Sequence, residues 1–309
     1  MRLFAAGFNT WNQLVFDPSL IKSEPEDLTE AEVILENANV QVIAIWPAHT
    51  LLRTDQGLQQ AGASTIQPSD VTEFTKIIVN GAGEGLKFEN KTHGSSIRIF
   101  TTFGTALDDI QRGQWDFDKT ISQVAPYDVG WVILFDDGSV GTVGDPRFAD
   151  CLGREVTAEN PAERPAKVQD LDGLGEPVRK VAAGGYTVMA LTQSGGLYAW
   201  GAQAPGSHRQ QLPIAALNGV PNYVEVDGDV DIQDIAVGEC HAITLSTEGE
   251  VFVLGGNRNG QLGLGQAATD HVSSWTKLDI PLRENERVVG VFAGARSSFL
   301  LTEEGTIDP

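Results

Sequence analysis

Histidine and cysteine side chains are the first places to look for acid–base, nucleophilic or metal chemistry in this chain. His49 and His241 occupy one shared position in two similar segments, where each opens an apolar strand. Recurrence at one structural position favours a structural hydrogen-bonding role over catalysis or metal ligation. The only cysteines, Cys151 and Cys240, are too few for a disulfide framework or a cysteine-based zinc site. We therefore predict no catalytic residue, no cofactor and no metal.

A glycine run from Gly255 to Gly265 is the second candidate, because glycine-rich loops cradle phosphates. The run lacks the Lys-Ser/Thr pair of a phosphate-binding loop, and no helical pattern follows it. We interpret it as a structural turn.

Aromatic and polar side chains in predicted loops are candidates for binding another protein, because exposed aromatics near arginine anchor many interfaces. Trp11, Trp115 and Trp275 are predicted to lie between strands, and Trp46 replaces the glycine of a strand-end bend. The alternative is that each tryptophan covers its own sheet. The protein-binding candidates are Trp11, Arg258, Asn259, Trp46 and Trp115.

The amino-acid composition limits the classes of molecule that the chain is expected to bind. The 309 residues carry a formal net charge of −21, with no cluster of Lys and Arg, which argues against binding to DNA or to an anionic membrane. No apolar run approaches a membrane span, no secretory leader is recognised, and the cysteine content fits a reducing compartment. We expect a cytoplasmic or nuclear protein.

An internal repeat accounts for the 34 glycines. Each copy consists of a strand, a bend, a second apolar strand, a polar turn with glycine, and a third strand. The copies span residues 42–57, 121–138, 178–201, 232–255 and 288–305, with a degenerate copy at 77–100. The turn glycines are Gly57, Gly94, Gly138, Gly195, Gly249 and Gly305, where a positive φ is expected.

The repeat predicts an all-β fold, a single closed β-propeller over residues 1–309. Six blades are expected, with seven as the alternative. Residues 2–7 resemble the third strand at 196–201, so the N-terminal strand is expected to complete and close the C-terminal blade. Two stretches interrupt the repeat: an acidic insertion at 17–38, with a short helix expected near Thr29, and a long polar loop at 145–177, either functional or disordered.

The loop after one third strand, Gly255-Gly-Asn-Arg-Asn-Gly-Gln-Leu-Gly263, resembles the hallmark of the regulator-of-chromosome-condensation family. A second copy begins at Gly7 and has Asn12 in a glycine slot. His49 and His241 match the family's strand-start histidine. The resemblance assigns structural roles in the repeat to Gly7, Asn9, Gly57, Gly138, Gly195, Gly249, Gly255, Asn257, Gly260, Gly263, Gly305, His49 and His241.

Within that family the short acidic chain looks most like the fungal alpha-tubulin suppressor proteins. That resemblance implies a non-enzymatic scaffold or regulatory subunit, a monomer that forms a heterodimer with a small zinc-binding protein serving diphthamide synthesis and tRNA wobble-uridine modification. The alternative is a guanine nucleotide exchange regulator of a small GTPase.

The charge generates a testable prediction. The chain should not shift duplex DNA or nucleosomes at moderate salt in a gel-mobility assay, because it lacks the clustered cations that displace phosphate counterions. A salt-sensitive complex of micromolar affinity would contradict this.

Overall fold

The computed structural model describes residues 1–63, 76–108, 110–202, 213–214 and 217–305. The regular secondary structure of the described chain consists mainly of short antiparallel strands, and the chain forms two compact units. The first unit contains residues 1–63, 213–214 and 226–305, and the second contains the remainder. None of the described helices has the length and apolar character needed to cross a membrane.

Three antiparallel sheets make up the first unit. In spatial order, the first has β22 (Glu286–Ala293), β23 (Ser297–Glu304), β1 (Arg2–Gly7) and β2 (Leu28–Glu36); the second has β3 (Val40–Trp46), β4 (His49–Thr54) and β5 (Gly57–Gly62); the third has β18 (Ile232–Val237), β19 (His241–Ser246), β20 (Val251–Gly256) and β21 (His271–Lys277). A 3-10 turn spans Pro18–Leu20.

The second unit also contains three sheets, each with four strands in chain order. They are β6 (Ile78–Val79), β7 (Gly85–Asn90), β8 (Ser95–Phe100) and β9 (Gly113–Phe117); β10 (Ile121–Tyr127), β11 (Gly130–Phe135), β12 (Val140–Gly144) and β13 (Ala166–Lys167); and β14 (Val178–Gly184), β15 (Thr187–Thr192), β16 (Leu197–Gly201) and β17 (Asn222–Tyr223). Short helices span Phe103–Leu107 and Gln169–Asp172, and a 3-10 segment spans Pro146–Leu152.

The apolar runs of the repeat become strands that are covered on both faces. All six residues of β11, β15 and β19 are buried. In the first unit, Phe4, Ile243 and Leu300 belong to one cluster shared by two sheets. In the second unit, Val132 and Trp200 belong to another cluster that is shared by two sheets. Burial on both faces removes the need for alternating polar residues, which explains the continuous apolar pattern.

The turn glycines join the second and third strands of their sheets. Gly57, Gly94, Gly138, Gly195 and Gly249 all have φ between 80° and 107°, a region that side chains with a Cβ disfavour. The expectation is wrong at Gly305, whose φ lies outside this region. Its hairpin is not needed to supply a third strand, because β1 occupies that place beside β23.

The predicted pairing of residues 2–7 with the last repeat is present in the first unit. Arg2 lies opposite Thr302 and Gly7 opposite Ser297, in unbroken antiparallel register. β1 then pairs with β2 on its other side, so the helix expected near Thr29 is wrong. Residues 28–36 include Thr29, Val33 and Ile34, β-branched side chains that suit a strand, and the exposed edge of β1 offers them a ladder.

The polar segment at 145–177 is folded around one arginine. The Arg154 guanidinium donates hydrogen bonds to the carbonyl oxygens of Asn160, Pro161 and Arg164 at 3.1, 3.2 and 2.9 Å. Burial lowers the pKa of Arg154. Within the segment, Cys151, Leu152, Ala162, Val168 and Leu171 are buried.

A buried ion pair fixes the N-terminal strand in its sheet. The Arg2 guanidinium donates a 2.8 Å hydrogen bond to Glu286 Oε1 and a second, shorter one to Oε2. The two side chains are only 10% and 2% exposed. Thr302 also donates to Glu286. These hydrogen bonds, above all those from Arg2, lower the pKa of Glu286 to about 2.

This pair yields a prediction about acid stability. A carboxylate whose pKa falls on folding stabilises the protein above its unfolded pKa, and the contribution is lost as pH drops towards the folded value. Arg2→Met should therefore lower the free energy of unfolding at pH 7 by about 3 kcal/mol. It should also flatten the loss of stability between pH 4.5 and 2, measured by urea denaturation across pH.

The matched control is Arg283→Met, which removes an exposed bidentate pair with Glu36. Exposed pairs contribute roughly 0–1 kcal/mol, so this variant should remain close to the wild type. Equal effects of the two substitutions would contradict the assigned role of Arg2.

Candidate functional site

The loop after β20 is held in shape by its own side chains. Asn257 Oδ1 accepts a 3.0 Å hydrogen bond from the Leu262 backbone N–H, and Gln261 Oε1 accepts one of 2.9 Å from the Asn259 N–H. Leu262 is buried beneath the turn. Gly260 has φ +75°, and a Cβ there would lie 2.6 Å from the Cα of Thr29. The glycine run is a braced turn.

The loop after β1 repeats the same construction. Asn9 Oδ1 accepts a 3.0 Å hydrogen bond from the Leu14 N–H, and Gln13 Oε1 accepts a 2.9 Å hydrogen bond from the Trp11 N–H. Asn12 occupies the slot of Gly260 with φ 55°, a conformation that asparagine tolerates better than most residues. We call residues 7–14 and 255–263 the two braced loops.

Asp27 connects the two braced loops. One carboxylate oxygen accepts a 2.9 Å hydrogen bond from the Asn9 backbone N–H, and the other accepts a 2.7 Å bond from the Asn259 side-chain amide. The loops that carry Trp11 and Asn259 are therefore joined through an acidic residue of the 17–38 segment. Both of its oxygens are used to position backbone and side-chain groups.

Trp11 stands between two surface pockets of the first unit, with half of its surface exposed. The first, which we call the aromatic pocket, has a volume of about 290 Å³ and is lined mainly by Phe8, Trp11, Trp46, Pro47, Glu239 and Arg296. The second, which we call the mixed pocket, has a volume of about 550 Å³, and its walls combine apolar residues such as Val15, Pro18 and Ile21 with polar ones such as Thr10 and Gln60.

The five binding candidates separate into three groups. Trp11 and Trp46 line one pocket. Asn259 is joined to the loop of Trp11 through Asp27, and the exposed Arg258 lies 3.8 Å from Asp270. Trp115 lies in the second unit and is not in a loop.

The loop positions expected for two tryptophans are wrong. Trp115 is the middle residue of β9 and packs against the apolar cluster of its own sheet and the next, and Trp275 lies in β21. Both tryptophans lie in outer strands of their sheets. The alternation of apolar and polar residues in these strands was too short to recognise in the sequence.

The two histidines open strands: His49 is the first residue of β4 and His241 the first of β19. His241 is fully buried, and burial lowers its pKa to about 4. Its ring lies against the bend at Gly238, where a Cβ would come within 2.1 Å of Cε1. The Ser297 backbone weakly favours the charged form, but within the described chain neither ring nitrogen has a partner of full hydrogen-bond geometry. The ring of His241 therefore packs tightly against this bend, and the hydrogen-bonding role of the two histidines stays a prediction.

The two cysteine thiols are not activated as nucleophiles. Burial raises the pKa of Cys151 to about 12 and also raises that of Cys240. Both thiols are therefore protonated at neutral pH and poor nucleophiles. Among the residues that the structure describes, no three His, Cys, Asp or Glu side chains are grouped to hold a metal ion.

Three charged contributors to the site were not singled out in the sequence: Asp27, Glu239 and Arg296. The last two lie on bends between first and second strands and form an ion pair of 3.1 Å. The sequence signal was available in the aligned bends, since Glu239 precedes Cys240-His241 and Arg296 precedes Ser297. Recognising it requires knowing that these bends approach each other.

Comparison with known proteins gives the same repeat. Models of the regulator of chromosome condensation (RCC1) repeat match residues 178–204 and 248–301. The human regulator of chromosome condensation is 29% identical over 58% of this chain and 38% of its own length. The ultraviolet-B receptor of Arabidopsis thaliana is 33% identical over 50% of this chain and 33% of its own length.

A solved structure extends the likeness to the fold. Prp20p from Saccharomyces cerevisiae, whose structure was described with its binding to Gsp1p and histones, superposes with a TM-score of 0.59 at 13% identity, covering 99% of this chain and 92% of Prp20p. The matched region makes up at most 38% of the two curated relatives. In matched ligases and a kinase it makes up between 3% and 17% of the length.

Asp27 gives a prediction about the braced loops. Asp27→Ala should lower the free energy of unfolding by about 1–3 kcal/mol, because two donors lose their acceptor. The control is Glu26→Ala, whose carboxylate is 87% exposed and should change stability by less than about 0.5 kcal/mol. Identical urea midpoints for the two variants would contradict the bridging role.

Proposed function

This chain carries RCC1 repeats in the fold of an RCC1-type β-propeller, and we propose that it is a non-enzymatic scaffold or regulatory subunit that binds another protein. The observation that carries the proposal is the rigid display of Trp11. Its indole is half exposed, although the backbone that carries it is fixed by Gln13 and Asn9. A large aromatic side chain on a braced turn is the usual anchor of a protein interface, because little entropy is lost when it binds.

The proposal includes the finer architecture. We propose that the six sheets are the six blades of one closed propeller and that β1 closes it through its pairing with β23. Support comes from the order of strands: in five sheets the third strand follows the second along the chain, whereas in the sheet of β22 and β23 it comes from the N-terminus. Closure by strands from both chain ends protects sheet edges.

The proposed binding surface consists of the two braced loops and the aromatic pocket. It combines an indole, the exposed Arg258 guanidinium and the Asn259 amide, which Asp27 holds close to the loop of Trp11. Such a mixture of aromatic and polar groups is common at interface centres. The mixed pocket extends the surface, and the exposed Leu20 and Ile21 lie on the segment that forms one of its walls.

For the partner, we propose a small zinc-binding protein, as the resemblance to the alpha-tubulin suppressor proteins implies. The chain would then act as a cytoplasmic or nuclear monomer that forms a heterodimer and serves diphthamide synthesis and tRNA modification. The net charge of −21 supports a protein partner over nucleic acid.

Nucleotide exchange on a small GTPase is the second candidate, favoured by the fold shared with Prp20p, which was described with its binding to Gsp1p. A fluorescent-nucleotide release assay separates the two candidates. A scaffold leaves the release rate of a small GTPase unchanged, whereas an exchange regulator accelerates it.

A double variant tests the proposed surface. Trp11→Ala with Arg258→Ala should keep the melting temperature within a few degrees, because both side chains are exposed. It should weaken binding to the zinc-loaded small protein by roughly 2 kcal/mol or more in isothermal titration calorimetry, as expected for an aromatic anchor.

The matched control is Ile110→Ala, which removes an apolar side chain that is 62% exposed in the second unit. This variant should bind normally. A Trp11/Arg258 variant that binds like the wild type would reject the surface, and a wild-type chain that does not bind the zinc protein would reject the partner.

A further inference from the structure

The aromatic pocket has the walls of a site for one cationic side chain. Phe8, Trp11 and Trp46 contribute aromatic rings, and Glu239 contributes a carboxylate. The volume of about 290 Å³ lies just below the range of pockets for drug-sized ligands and suits a single long side chain. Aromatic faces attract cations through their quadrupole, and an adjacent carboxylate adds charge of the required sign.

Hydrogen bonds fix these walls before any ligand arrives. Gln13 joins two of them: its amide donates a 3.2 Å bond to the Pro47 carbonyl, and its oxygen accepts from the Trp11 N–H. The Phe8 N–H donates to the Arg296 carbonyl at 2.9 Å, and the Glu239 N–H donates to the Ala295 carbonyl at 2.8 Å. A pre-organised site loses little entropy on binding.

The pocket already holds a guanidinium at its edge. Arg296 Nε lies 3.1 Å from Glu239 Oε2, and the Arg296 side chain is 50% exposed while that of Glu239 is 22% exposed. A half-exposed ion pair is weak, because water screens it and the long side chain loses entropy when held in place. Another cation can therefore displace Arg296 at low cost.

We propose that the aromatic pocket binds an arginine side chain of the partner, which stacks on Trp11 or Trp46 and replaces Arg296 as the partner of Glu239. This inference deepens the proposed function, on which it rests, by stating the chemistry that the surface recognises. Arginine fits better than lysine because its planar guanidinium stacks on an indole and is less strongly hydrated. The net charge of −21 further favours a cationic group.

The opposite ligand would be a carboxylate bound by Arg296. The two possibilities predict opposite effects of one substitution. If Arg296 competes with the ligand for Glu239, Arg296→Ala should tighten binding; if Arg296 is the ligand's partner, the same change should abolish it.

The experiment titrates the full chain with capped Gly-Arg-Gly, with its citrulline analogue, which is neutral and nearly isosteric, and with capped Gly-Glu-Gly. The readout is the set of tryptophan indole N–H signals in nitrogen–proton NMR spectra, with Trp11 and Trp46 assigned from their phenylalanine variants. Trp131 and Trp200 have no exposed surface and serve as internal references.

We expect the arginine peptide to shift the signals of Trp11 and Trp46 saturably and to leave those of Trp131 and Trp200 in place. Glu239→Gln should weaken this binding by roughly fivefold or more, and Arg296→Ala should strengthen it by roughly threefold or more. Equal binding of the citrulline peptide, or binding of the glutamate peptide that Arg296→Ala abolishes, would overturn the proposal.

Both variants are checked by thermal melting, and the comparison of arginine with citrulline uses the wild-type chain alone. The outcome is separable from the proposed function. Arginine binding without capture of the zinc protein would reject only the partner, whereas loss of zinc-protein binding in the Trp11/Arg258 variant with no arginine preference would reject only this inference.

Discussion

The antiparallel ladder between β1 and β23 is the constraint from which the rest of the first unit follows. It joins Arg2 to Thr302, residues 300 positions apart, and so brings the loop after β1 into the neighbourhood of the last repeats. Closing so long a loop is entropically costly, and the backbone ladder is supplemented by a buried ion pair between Arg2 and Glu286. Breaking that pair would leave a buried charge without a partner. The energetic cost of breaking it therefore strongly favours the observed register of β1.

β2 is the next consequence of that ladder. Because β1 has a free edge, the acidic segment that follows forms its outer neighbour, and this places Asp27 beside both braced loops. The side chains of Asn9 and Asn257 each accept a hydrogen bond from the backbone of their own turn. Rigid turns of this kind lose little entropy on binding, so the residues that they display, above all Trp11, are suited to recognition.

Electrostatics divides the charged residues into two classes. The Arg2–Glu286 pair is buried and structural, and it lowers the pKa of Glu286 to about 2. The Arg296–Glu239 pair is half exposed and lies at the edge of a pocket with aromatic walls. An arginine–glutamate pair therefore stabilises the fold at Glu286. At Glu239 the arginine can be replaced by another cation, because solvent screens that pair.

The sequence by itself determined the repeat, the all-β class, the turn glycines and the pairing of the first strand with the last repeat. These follow from local chemistry: positive φ at Gly57 or Gly249 needs glycine, and continuous apolar runs need cover on both faces. The tertiary structure decided the rest. Residues 28–36 carry a charge pattern that suits a helix end, yet they form β2 because β1 offers a ladder, and no local signal contains that partner. The joining of Trp11 and Trp46 with Glu239 and Arg296 likewise depends on bends from separate repeats, whose approach is set by packing of sheets rather than by spacing along the chain.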